Sequence, residues 1–156
     1  LRAKRNDGKE LESRLSAALL QHQTTHKSTY LRFYDAVSSG GRGHAQSGDF
    51  LWAMPANAVL IECKSSETGA DIISLIKSSK TSKSQLPKHR LWHIAGNLSL
   101  YVYANIITRE VCFYDGISVL VAVKSGNRED LKILGVCTLT SIFYLLETIS
   151  TQIRKL

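Results

Sequence analysis

Apolar residues recur at helical spacing at Leu11, Leu15, Ala18 and Leu19, and predict an amphipathic first helix over roughly residues 8–22. Tyr30–Val37 is rich in aromatic and branched side chains and reads as a strand. Ser38–Gly43 has no apolar anchor and reads as a flexible loop. Asp49–Trp52 and Val59–Lys64 follow as two strands joined through Met54-Pro55-Ala56-Asn57. A second helix is predicted over Ala70–Ser79, where Ile72, Ile73, Leu75 and Ile76 are apolar. Leu98–Ile107, Val111–Tyr114 and Ser118–Val123 read as further strands, the last two separated by an Asp115-Gly116 turn. A last helix over Thr138–Ile153 carries Ile142, Leu145, Leu146 and Ile149 on one stripe. The order of helix, three strands, helix, strands and helix predicts an α/β fold, a mixed central sheet flanked by helices.

The chain of 156 residues has the length of one domain, preceded by a basic, flexible arm over residues 1–7. No apolar run is long enough to cross a membrane, and no secretory signal is legible in the polar opening residues. Cys63, Cys112 and Cys137 are odd in number, widely spaced and set in apolar stretches. They read as free buried thiols in the cytoplasm or another reducing compartment. His22 and His26 stand four apart on the first helix; two solvated histidines are the plainer reading than a zinc pair.

The formal net charge of +7 favours a polyanionic partner, and its distribution sharpens that. Between Lys64 and Arg90 stand Lys64, Lys77, Lys80, Lys83, Lys88 and Arg90, opposed only by Glu67 and Asp71.

The predicted hairpin carries the chemistry. With Pro55-Ala56 at the centre of its turn, Asp49 stands opposite Glu62, at a Cβ separation of about 5 Å. Lys64 shares the face of Glu62, while Ile61 and Cys63 point the other way. Opposed carboxylates repel unless a cation lies between them. Lys64 compensates one; a divalent ion with oxygen ligands compensates both. A surface hairpin with ordinary charges is the bland alternative. On the first helix Glu12 lies towards the buried stripe and needs a partner there, which a metal at Asp49 and Glu62 could supply. Glu10 pairs instead with Arg14 at solvent.

Glu12 on a helix, Asp49 on one strand and Glu62-Cys63-Lys64 on the next resemble the PD-(D/E)XK nuclease superfamily. The resemblance covers about residues 8–86. It is nearest to the archaeal and RecU-type Holliday junction resolvases, through Gly8-Lys9-Glu10-Leu11-Glu12, the Ser- and Gly-bearing loop Ser38–Gly43, Lys64-Ser65-Ser66, and Gln85 beyond the E-x-K strand. Gly48 stands where the superfamily name has Pro. The resemblance implies a restriction-endonuclease-like core and Mg²⁺-dependent hydrolysis of DNA phosphodiesters, with Mn²⁺ as substitute. It assigns Asp49, Glu62 and the backbone carbonyl of Cys63 to the metal, with Glu12 bound directly or through water. Lys64 would stabilise the transition state, and Gln85 would orient water or phosphate. Arg42, Lys77, Lys80, Lys83, Lys88 and Arg90 become expected phosphate contacts. A homodimer acting on branched, four-way DNA is expected, with the last helix packing either at the dimer interface or onto the sheet. A restriction- or repair-type nuclease of other DNA specificity, and a non-catalytic DNA-binding module on the same fold, are the rival readings.

Overall fold

The structure, a computed structural model, describes residues 7–33 and 48–153. Its elements run α1 (Asp7–Thr25), β1 (Thr29–Arg32), β2 (Phe50–Met54), β3 (Asn57–Ser66), α2 (Ile72–Ser78), α3 (Lys80–Ile94), β4 (Leu98–Asn105), β5 (Glu110–Asp115), α4 (Gly116–Ser125), β6 (Ile133–Thr138) and α5 (Ile142–Ile153). The strands make one six-stranded sheet in chain order. Among the described residues only β3 and β4 pair in parallel, across the long connection that holds α2 and α3; the other neighbours are antiparallel. α1 and α5 cover one face, and α2, α3 and α4 the other. The predicted mixed sheet between helices is therefore present.

The alternation of the strands assigns each face. Phe50, Trp52, Val59, Ile61, Cys63, Leu100, Val102, Val111 and Phe113 point towards α1 and α5. Leu11, Leu15, Ala18 and Leu19 of α1 meet them, as the helical spacing predicts. On α5, Ile142, Leu146, Ile149 and Ile153 enter the same core, so the apolar face of the last helix packs onto the sheet. That settles the alternative left open by the sequence and removes this face from any dimer interface. His22 is fully buried between α1 and α5, with Nδ1 2.8 Å from Ser28 Oγ and Nε2 3.2 Å from Ser150 Oγ. It is a core histidine, where a solvated one was expected.

The structure departs from the sequence expectations elsewhere. Ser118–Val123 is helical, not a strand: Asp115 caps α4 by accepting the Ser118 N–H at 2.9 Å, and Gly126, at a φ of 76°, ends it. An Asp-Gly pair followed by branched residues suits a hairpin or an N-cap, and here the cap forms. Residues 80–94 form a helix that hydrophobic spacing does not reveal, and β6 is a strand with no prediction behind it. β1 ends at Arg32; the rest of the predicted strand beyond Phe33, the loop Ser38–Gly43 and Arg42 lie outside the described residues. So do residues 1–6 of the basic arm, while Asp7 already belongs to α1. No helix among the described residues is long and apolar enough to cross a membrane. Cys63, Cys112 and Cys137 are free thiols, the first two buried.

Candidate active site

The hairpin takes the register that its sequence implies. Met54 pairs with Asn57 and each step outward keeps the same offset, to Phe50 with Ile61. Pro55 and Ala56 form the turn, with Ala56 at a φ of 68°, the geometry of a type II turn. Regular pairing stops at Phe50, one residue before Asp49 would face Glu62. Asp49 is fixed there by three bonds. Its N–H donates to Ile61 O at 2.8 Å, its carbonyl accepts the Phe33 N–H at 2.8 Å, and its Oδ2 accepts the Cys63 N–H at 2.6 Å. Gly48 permits this approach, because a Cβ there would lie 2.9 Å from Ile61 O. The glycine at that position thus has a steric reason.

Because the N–H and C=O of one residue leave an extended strand from the same edge, the Cys63 carbonyl faces the side on which Asp49 stands. Beyond Ile61 no β2 residue pairs with that edge of β3, and the Asp49 carboxylate takes the Cys63 N–H in place of a strand partner.

Glu62 and Lys64 project from the face of β3 opposite to the Cys63 side chain, towards α3. Glu62 is 1% exposed. Lys64 Nζ donates to Glu62 Oε1 and, at 3.3 Å, to Gln85 Oε1, while Gln85 Nε2 donates to Glu62 Oε2 at 3.0 Å. Gln85 of α3 thereby closes a triangle with the E-x-K strand, and both Glu62 oxygens are engaged. Burial first, and then the nearby Asp49 carboxylate, push the Glu62 carboxyl up to about 7 against the pull of Lys64. One ammonium does not offset the burial of Glu62 beside a second carboxylate. A divalent cation suits this donor set: each carboxylate oxygen accepts from more than one direction, and the positive charge relieves what holds Glu62 near neutrality.

Glu12 does not join this group. It approaches from the α1 side and accepts from Arg32 of β1 at 2.6 Å, both side chains about 30% exposed. It acts electrostatically on the Cys63 thiol, which burial, Asp49 and Glu62 also raise. The partner that Glu12 needs is thus Arg32, which the sequence reading passes over. Glu10 pairs with Arg14 at 3.9 Å, as expected. Among the described residues no three His, Cys, Asp or Glu side chains gather to hold a metal by themselves.

The inner stripe of α3 is Ser82, Gln85 and His89, all buried, and the helix runs through Pro87. Its polarity explains why no apolar periodicity marks it. Lys80, Lys83 and Arg90 are exposed on the same helix, Lys77 is exposed on α2, and Lys88 is half-buried. His89 and Tyr101 also enter the site's surroundings unforeseen. His89 is detectable only once residues 80–94 are read as a helix, which sets it one turn beyond Gln85. Tyr101 lies beside Glu62 in the β3–β4 register and nothing in the sequence marks it. The chain matches no protein-family model and no curated protein sequence.

Proposed function

We propose that this chain is a metal-dependent nuclease of the PD-(D/E)XK kind, with a restriction-endonuclease-like core, that hydrolyses phosphodiester bonds in DNA. The observation that carries this reading is the buried Glu62–Lys64–Gln85 triangle with the Asp49 carboxylate anchored on the Cys63 N–H beside it. Asp49, Glu62 and the Cys63 carbonyl would hold Mg²⁺ or Mn²⁺. The bound ion supplies Lewis-acid polarisation of the phosphate and a more acidic attacking water.

The residues do the rest. Lys64, only partly exposed and tethered to Gln85, presents a fixed ammonium where negative charge grows on the phosphate oxygens. Gln85 sets the direction of both Glu62 and Lys64, so its part is positioning rather than contact with water. The Glu12–Arg32 pair flanks the site from the α1 side. The exposed bases Lys80, Lys83 and Arg90 lie on the helix that turns Gln85 inward, where they can guide a phosphate backbone towards it. Within this reading the substrate is branched DNA and the active form a homodimer, by the resolvase resemblance.

The test is cleavage of four-way junction, flap, duplex and single-stranded DNA with Mg²⁺ or Mn²⁺. Asp49→Asn and Glu62→Gln should abolish cleavage while DNA binding persists, and Lys64→Ala should lose cleavage with metal binding retained. Full activity in excess chelator would overturn the reading.

A further inference from the structure

Beside the Glu62 triangle lie buried polar atoms without a protein partner among the described residues. Both ring nitrogens of His89 and the hydroxyl of Tyr101 make no hydrogen bond to another described residue. His89 is 0% exposed, Tyr101 is 1% exposed, and their ring centroids stand 4.7 Å apart. Buried donors and acceptors in this state weaken a fold, and apolar groups of the same shape would avoid the loss. Their location gives a reason for keeping them. His89 follows Gln85 by one turn on the same inner stripe of α3, and Tyr101 is the register neighbour of Glu62. Each also senses the site's charges. Burial and then Lys64 keep the imidazole neutral, while burial, Glu62 and Asp49 keep the phenol protonated.

In the arrangement described, Lys64 and Gln85 together take both oxygens of Glu62. A cation on Glu62 competes for those oxygens, and the Lys64 ammonium and Gln85 amide then need other partners close by, where Glu62 and Gln85 are buried. We propose that His89 and Tyr101 are positioning residues of the Glu62 centre, reserve hydrogen-bonding groups that receive Lys64 and Gln85 when a divalent cation engages Glu62. A neutral imidazole offers one acceptor and one donor, and a phenol offers both in one atom. The set therefore accommodates an ammonium and either end of an amide. The inference rests on the metal-dependent reading above.

The experiment compares His89→Leu, His89→Gln and Tyr101→Phe with the wild type, in the full chain. Thermal midpoints are measured in chelator and with Mn²⁺, and kcat and KM on the preferred DNA substrate. In chelator, His89→Leu and Tyr101→Phe should melt no lower than the wild type, since neither loses a bond. Both should lose most of the Mn²⁺-induced rise in midpoint and about tenfold in kcat, the scale of a lost supporting bond at a metal ligand, with KM unchanged. His89→Gln, which keeps a donor and an acceptor, should recover much of both. Should His89→Leu fail to fold, Tyr101→Phe, which removes one oxygen atom, decides the matter alone. Variants that melt lower in chelator yet keep the Mn²⁺ rise and kcat would make these packing residues and overturn the inference, leaving the nuclease reading intact. A wild type whose midpoint ignores Mn²⁺ would overturn the metal reading, and this inference with it.

Discussion

Glu62 and His89 are buried groups of opposite kind, and their titrations work against each other. The Glu62 carboxyl is pushed up to about 7 from 4.5, by burial and then by Asp49. Between those values the folded protein holds a proton that the unfolded chain has released, so stability falls as pH rises. His89 is held down to about 4 from 6.5, by burial and then by Lys64. Between those values the unfolded chain takes up a proton that the folded protein refuses, so stability climbs with pH. Each slope is worth at most about 3 kcal/mol over its window, and they overlap from about 4.5 to 6.5. In urea unfolding, Glu62→Gln should therefore gain stability relative to the wild type as pH rises from 4.5 to 7. His89→Leu should lose stability relative to it from 4 to 6.5. Difference curves flat in pH would refute both assignments. The register that sets Asp49 near Glu62 is readable from residue numbers, because side-chain alternation and a two-residue turn leave little freedom. The partner of Glu12 is not, because it depends on how α1 lies over β1.

At the level of elements, what could be read depended on whether burial was apolar. α1, α2 and α5 bury Leu and Ile at helical spacing and are found within a few residues. α3 buries Ser82, Gln85 and His89, so no hydrophobic stripe announces it, and Pro87 argues against a helix at all. The same polarity that hides the helix is what brings Gln85 to the acid–lysine pair. α4 resembles a strand for another reason: Ile117, Val119, Val121 and Val123 alternate like one, and only the cap decides. Asp115→Ala should then cost about 1 kcal/mol and Asp115→Asn much less, since Asn also caps helices. Equal losses from the two in chemical unfolding would show that the cap contributes little.

For the whole molecule, charge and shape separate attraction from choice. Under the proposed nuclease function, a net charge of +7 makes DNA binding weaken steeply with salt, whatever the DNA's form. The resolvase reading adds a two-fold dimer, which presents two sites to symmetric strands only on a four-way junction. Competition at about 0.2 M salt should leave junction binding where duplex binding has gone, and the solution mass should be that of two chains. A monomer binding both equally would remove the resolvase and leave the nuclease. The sheet itself has a seam at β3–β4, the one parallel pairing, which closes only after the chain has passed through α2 and α3. Contacts between distant segments form late in folding. The two tryptophans sit on opposite sides of this step. Trp52 is buried in the core under α1, whereas Trp92 on α3 bonds to Leu98 O at the start of β4. Single-tryptophan variants should show Trp52 reaching its native emission before Trp92 during refolding, with the proposed nuclease activity arriving alongside the second signal.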